Sequence, residues 1–152
     1  MRALGSILWH FPFFGFVQAA IVWLFGLLLT VTVIAAPIGI GLMEYGKFLL
    51  APFNRAMVSK ADLNVKQNAA WRAYSTIVMV LYFPVGLVLA VISAVQVAGL
   101  FVSIIGIPVA LVVARSLGTI FSPVNKTCVP RAVAEELDRR AGQAAIAKHL
   151  GA

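Results

Sequence analysis

Acidic side chains are scarce in this chain, and charged side chains of either sign are few. The 152 residues include five Asp and Glu against twelve Lys and Arg; charged residues make up 11% of the total and hydrophobic residues 62%. An ordinary soluble domain is about half apolar and about a quarter charged. The composition therefore excludes a typical soluble protein and indicates a membrane protein, with the lipid bilayer as its first partner.

Cysteine and histidine are nearly absent. Cys128 is the single cysteine, which excludes an internal disulfide and a multi-cysteine metal site. The two histidines, His10 and His149, lie at opposite ends of the chain, and neither has a cysteine or carboxylate at metal-site spacing. The sequence also lacks a glycine-rich phosphate loop and a nucleophile elbow. We therefore expect no enzymatic activity, no catalytic residue, no metal and no cofactor.

Two long stretches contain no charged residue. One lies between Arg2 and Glu44, and the other lies between Arg72 and Arg115. About 20 apolar residues cross the hydrocarbon core, so each stretch is long enough for two crossings, or for one crossing and a re-entrant segment. The first stretch is also far longer than the apolar region of a signal peptide, and we do not expect cleavage there.

Ten of the twelve basic residues are grouped in three short polar segments. They lie at the N-terminus, in the segment 55–72 and in the tail after Lys126. This is the pattern of cytoplasmic loops under the positive-inside rule. We therefore attribute the net charge of +7 to membrane orientation and expect no nucleic-acid binding.

The two halves of the chain resemble each other. The segment 15–58 aligns with 86–129 without a gap, and the chance agreement of such apolar sequences is lower than the agreement seen. The pattern predicts a tandem duplication. The most informative identical pairs are Pro37/Pro108, Pro52/Pro123 and Asn54/Asn125.

We predict an all-α membrane protein with about four transmembrane helices, arranged as two tandem helical-hairpin repeats and followed by a cytoplasmic C-terminal helix. Tight turns are expected near Gly26 and Gly99, and both termini are expected in the cytoplasm. The predicted helices span 7–26, 28–50, 75–97 and 101–122. The predicted regions are a first membrane repeat (1–58), a basic cytoplasmic linker (59–74), a second membrane repeat (75–129) and the C-terminal helix (130–152).

An alternative topology gives each repeat one long span and one re-entrant segment, for example 12–35 followed by 37–51. It places the basic linker outside, against the positive-inside rule. In the four-helix arrangement Pro37 and Pro108 lie inside the second helix of each repeat. Each proline then removes a backbone hydrogen bond and forms a packing kink, a hinge or a pore-lining break.

Three charged residues lie within the apolar helices. Glu44 and Arg115 each follow the proline of their own repeat by seven positions, and Lys47 follows Glu44 by three. Charges at such depth face protein or water. One interpretation is a structural ion pair, with Lys47 and Arg115 reaching the lipid headgroups. The other is a charged constriction in a permeation path, in which Glu44 and Arg115 face each other.

Small residues recur every four positions at Gly86, Ala90, Ala94 and Ala98. Such stripes allow close approach of membrane helices. The stripe is equally consistent with packing inside its own hairpin and with an interface between protomers, and we expect a homo-oligomer.

The stretch "VSIIGIPVALVVARSLGTIFSPVNKTCV" (102–129) resembles the signature of the YccF family of small bacterial inner-membrane proteins. The likeness lies in I-x-G-I-P followed by a basic residue, and "APIGIGLMEYGKFLLAPFNRAMV" in the first half keeps a Pro, an acidic residue and a Lys at similar spacing. Ser122 stands where the family pattern has an aromatic residue. The resemblance covers about residues 5–130. It implies a bacterial inner-membrane location and a domain of unknown function that also occurs as a tandem pair.

Two functions follow from these observations. The first is a small homo-oligomeric channel or permeation protein for ions or small solutes, with Glu44, Lys47 and Arg115 at the pore. The second is a non-conducting membrane scaffold or accessory subunit that binds other membrane proteins.

Overall fold

The computed structural model describes residues 7, 10–11, 15–64, 66–102, 104 and 106–151. The described elements in chain order are helix α1 (Gly15–Val31), helix α2 (Ala36–Leu50), strand β1 (Arg55–Ser59), helix α3 (Ala69–Phe101), helix α4 (Ile107–Phe121), strand β2 (Lys126–Pro130) and helix α5 (Arg131–His149). The architecture is helical, as predicted. A two-stranded antiparallel ladder, which the sequence analysis did not predict, joins the two halves.

The turns of the two helical hairpins lie further along the chain than predicted. They occupy 32–35 and 102–106 and are not located at Gly26 and Gly99. Pro37 and Pro108 are consequently the second residues of α2 and α4. A proline fits the first helical turn because its missing N–H has no intrahelical partner there. The predicted kink inside the second helix is therefore wrong, and each proline follows the break between two helices.

Glycines allow α1 and α2 to pack at close range. A Cβ atom on Gly26 would lie 2.7 Å from the Gly39 carbonyl oxygen, and a Cβ on Gly46 would lie 2.9 Å from the Cβ of Trp23. Gly39 and Gly46 are two helical turns apart and thus lie on one face of α2. This face is complementary to α1 and holds the first hairpin together.

The opposite face of α2 lies against the ladder and the turn that precedes it. Gly41 contacts the backbone of Pro123, and Glu44 is hydrogen-bonded to Cys128 in β2. At 100° per residue these two positions lie about half a turn around the helix from Gly39. Helix α2 is therefore the middle layer between α1 and the ladder.

Equivalent positions of the two halves meet at the centre of the fold. Met57 pairs with Cys128 in the middle of the ladder, and Tyr45 in α2 lies beside Ser116 in α4. An antiparallel pair of strands whose equivalent residues face each other has a local two-fold axis at that pair. The two halves therefore contact each other about such an axis, and the buried core lies beside it, made of Ala19, Tyr45, Phe48, Leu49, Val109 and Val112.

Helix α3 is the one helix in the described part of the chain that is long and apolar enough to cross a membrane. Its second half packs on α4, where the Tyr82 hydroxyl donates to the Ile120 carbonyl at 3.1 Å. Its first turns lie beside the turn of the first hairpin. The Tyr74 hydroxyl is placed there to donate to the carbonyls of Val33 (2.8 Å) and Ile34 (2.7 Å).

Helix α5 is polar and begins directly after the ladder. Pro130 precedes its first residue, in agreement with the predicted helix start. Glu136 pairs with Arg140 at 2.9 Å and with Arg139 at 2.8 Å. Glu135 pairs with Arg131 at 2.8 Å.

Candidate functional site

Glu44 ties helix α2 to strand β2. Its carboxylate accepts hydrogen bonds from the Cys128 N–H at 2.9 Å and from the Thr127 hydroxyl at 3.2 Å, and it forms an ion pair with Lys47. Its side chain is 17% exposed, so water competes little for these donors. Both carboxylate oxygens have protein partners, which makes Glu44 an anchor between a membrane helix and the ladder.

Arg115 occupies the equivalent position in the second half but has a different environment. Its side chain is exposed, and no ion pair within the described ranges includes it. The predicted approach of Glu44 and Arg115 therefore produces no salt bridge. Glu44 lies against β2, whereas Arg115 lines a cleft together with Arg55 and Met57 of β1.

A cleft of about 230 Å³ opens beside Arg115. Three arginines from three elements line it: Arg55 from β1, Arg115 from α4 and Arg131 from α5. Glu135 and Asp138 lie on its α5 side. We call this the arginine cleft. It concentrates cationic side chains where the ladder meets α4 and α5.

The arginine cleft could not be predicted from the sequence, which indicates only that Arg55 begins a basic segment. The three arginines come from separate segments of the chain, and they converge only because β1 pairs with β2. The signal available in the sequence was the repeated proline and asparagine, Pro52/Pro123 and Asn54/Asn125, which stand directly before each strand.

The ladder also perturbs two titratable groups. Burial raises the pKa of the Cys128 thiol, and Arg55, whose Nη1 lies 4.0 Å from Sγ, opposes that rise. Burial lowers the pKa of Lys126, and the nearby charge of Asp62 opposes that change. The Lys126 ammonium donates to the Gly118 carbonyl at 3.1 Å. Through these contacts, the Cys128 and Lys126 side chains hold strand β2 in place.

The small-residue stripe of α3 divides into two parts. Gly86 is buried, and a Cβ there would lie 2.5 Å from the Phe121 carbonyl oxygen of α4. Ala90 is half-buried, whereas Ala94 and Ala98 are exposed. The first part of the stripe therefore serves the hairpin itself, and the second part lies on the outer surface of the chain.

Gln96 lies on the outer surface of α3. It is about a quarter turn around the helix from Gly86 and is exposed, with no hydrogen bond to its amide from the described residues. One turn further along, nothing lies within 4 Å of a Cβ placed on Gly99. This stretch of α3 thus combines a polar amide with open space.

Comparison with known proteins gives a match over about the first third of the chain. Residues 4–55 match the family model of YccF, described as an inner membrane component domain. The match confirms the resemblance to this family that the motifs indicated. It lies in the first half, whereas the stronger of the two quoted motifs lies in the second. No curated protein and no solved structure matches the chain.

Proposed function

We propose that this integral inner-membrane protein is a non-conducting scaffold or accessory subunit, in which α3 binds a partner membrane helix. The observation that carries the proposal is the exposed amide of Gln96 beside the open surface at Gly99. Amides in membrane helices form interhelical hydrogen bonds, and small residues allow helices to approach closely. The outward amide therefore favours a helix–helix contact that one chain does not complete.

The ladder indicates where the chain meets the bilayer. Open sheet edges do not occur in contact with hydrocarbon, because their N–H and C=O groups have no partners there. A two-stranded ladder has two open edges, so β1 and β2 belong at the membrane surface. Since α1 packs on the opposite face of α2, it is α1 that faces the bilayer. The basic linker places this surface in the cytoplasm.

The first hairpin then enters the bilayer without crossing it. Helix α2 has 15 residues, or about 22 Å at 1.5 Å per residue, against about 30 Å of hydrocarbon. The bonds from Tyr74 to Val33 and Ile34 hold the hairpin turn beside the start of α3 and therefore near the basic linker. These contacts favour a first hairpin that does not span the membrane over two full spans in this repeat.

The same geometry supports an internal duplication. The pairs Met57–Cys128 and Tyr45–Ser116 each join two positions that are equivalent when 15–58 is aligned with 86–129. A two-fold axis through both pairs runs perpendicular to the ladder and hence along the membrane normal. In this arrangement the two repeats are parallel.

A pore lined by Glu44 and Lys47 is less well supported. The Glu44 carboxylate is occupied by donors from β2 and by Lys47, so it is not available to coordinate a permeating ion. The internal bonds favour the structural interpretation of the charge cluster and hence the non-conducting function.

Photo-crosslinking tests the partner contact. A benzophenone amino acid at Ile92, one turn before Gln96 on the outer surface, is expected to give an intermolecular adduct in native membranes. The same group at Val97, on the face toward α4, serves as the matched control and should give none. The substitution Gln96→Leu should abolish the Ile92 adduct, while Gln18→Leu in α1 should leave it. An adduct of equal yield in all variants would contradict the proposal.

Flux measurements test the non-conducting assignment separately. Purified protein in liposomes is expected to release no ions or small solutes above the level of empty liposomes. Flux that is abolished by both Glu44→Gln and Arg115→Gln in folded protein would instead establish the channel.

A further inference from the structure

We infer that the arginine cleft binds the phosphate of a membrane lipid headgroup. A guanidinium carries N–H donors in a planar fork that matches phosphate oxygens, and Arg pairs with phosphate in a bidentate manner. Three such groups, Arg55, Arg115 and Arg131, line one cleft of about 230 Å³. Their convergence from three separate elements forms a cationic site that neither half of the chain forms alone.

Among the three arginines of the cleft, Arg115 is the one that we expect to contact the phosphate first. Arg131 is engaged by Glu135 at 2.8 Å, and Arg55 lies against the Cys128 sulfur. The Arg115 side chain has no ion-pair partner among the residues that the structure describes. With Glu135 and Asp138 included, the cleft retains a net charge of +1 (three arginines minus two carboxylates), which suits a phosphodiester with one negative charge.

The surroundings of Arg115 favour a lipid over a soluble phosphate. Ile107 and Leu111, two turns and one turn before Arg115 on α4, are exposed apolar side chains. Residues four apart lie on one helix face, so an apolar track leads along α4 to the guanidinium. An acyl chain on this track places its headgroup phosphate at the cleft, where α5 and the ladder meet the bilayer surface.

Lipid binding is expected to stabilise the full chain in detergent. A short-chain phosphatidylglycerol or phosphatidylethanolamine, present at many times its dissociation constant, should raise the Tm, because a ligand that binds only the folded state stabilises it. Arg115→Gln should weaken the apparent affinity by about tenfold or more, as expected for charge-assisted bonds. Arg115→Lys should lie between, because it keeps the charge and loses the fork. Lys66→Gln, outside the cleft, is the matched control and should bind as the wild type does.

Two further ligands distinguish a lipid phosphate from a soluble phosphate. The corresponding diacylglycerol, which has the chains and lacks the phosphate, should give no shift. Inorganic phosphate at the same concentration should give a much smaller shift than the lipid. An equal shift with inorganic phosphate would overturn the lipid assignment, and equal lipid binding by Arg115→Gln would overturn the site. The inference depends on the surface position of the ladder and not on the partner helix, so failure of the Ile92 crosslink leaves this test unaffected.

Discussion

The two hairpins occupy equivalent positions but pack differently. In the first hairpin, Gly26 and Gly39 bring the backbones of α1 and α2 together. The equivalent positions in the second hairpin are Val97 and Ala110. Side chains are present at these two positions. Among the described glycines of the second hairpin, Gly86 and Gly106 are the two at which a Cβ would meet backbone of the other helix. The first hairpin is thus built for close internal packing.

The difference assigns separate tasks to the two hairpins. The close approach of α1 and α2 buries Gly39 and Gly46 and holds α2 in place against the ladder. Helix α3 extends well beyond α4, and most of its apolar surface is exposed. The Gln96 amide lies on this exposed surface. We infer that the first hairpin supports the fold and that the second presents a surface to a partner. Substitutions at equivalent or matched positions test this division.

The largest loss of stability is expected when Gly39 of the first hairpin is replaced by alanine, the residue at the aligned position 110 of the second hairpin. Gly39→Ala adds a Cβ that would lie 2.5 Å from the Gly26 carbonyl oxygen and 2.6 Å from the Thr30 nitrogen. Backbone atoms cannot yield without separating the helices, so we expect a loss of about 3 kcal/mol in the free energy of unfolding. Denaturant titration in detergent measures it.

Gly99→Ala is the matched control for that substitution. Nothing lies within 4 Å of the added Cβ, and alanine is preferred over glycine inside helices by about 0.5–1 kcal/mol. The variant should therefore be as stable as the wild type or slightly more stable. Equal losses at Gly39 and Gly99 would show that backbone proximity in the first hairpin is not the cause.

At the aligned charged positions Glu44 and Arg115, the loss of stability on substitution should again be larger in the first hairpin. Glu44→Gln weakens the bonds to Cys128 and Thr127 and the ion pair with Lys47, and we expect a loss of about 1–2 kcal/mol. Arg115→Gln in lipid-free detergent should change stability by less than about 0.5 kcal/mol, because it removes an exposed side chain. A larger loss at Arg115 than at Glu44 would refute the anchor role.

The sequence predicted the helical class and the membrane setting. It misplaced the hairpin turns because uniform apolar runs give no periodic signal that separates one long helix from two short ones. Pro37 and Pro108 were the correct markers, but they begin helices where a kink was predicted. The ladder was missed because Arg55–Ser59 and Lys126–Pro130 are short and polar, and each is a strand only through its pairing with the other.

The prolines themselves should matter little for stability. Pro37→Ala and Pro108→Ala change residues at the first turn of a helix, where proline reduces the entropy of the unfolded chain by a modest amount. Each is expected to cost less than about 1 kcal/mol, measured by thermal unfolding. If Pro108→Ala loses the Ile92 crosslink with no change in Tm, that result would instead favour the interpretation of Pro108 as a hinge.

The smallest effect concerns the reactivity of Cys128. Because the thiolate is the nucleophile and burial raises the pKa of Cys128, alkylation at neutral pH should be slower than for a free cysteine and should increase with pH. Removal of the nearby cation in Arg55→Gln should raise the pKa of this thiol further and slow alkylation at a given pH. Faster alkylation in that variant would contradict the contact between the two residues.

The central claim is that the turn of the first hairpin lies on the same side of the membrane as the ladder. The direct test is labelling with an impermeant maleimide of a single cysteine at Ile34, which is exposed, in a Cys128→Ser background. Cys128 of the wild-type chain reports the ladder. We predict that both cysteines are labelled in inverted vesicles and that neither is labelled in intact spheroplasts. Labelling of the cysteine at 34 in intact spheroplasts would contradict the account, because it would place that hairpin turn across the membrane from the ladder.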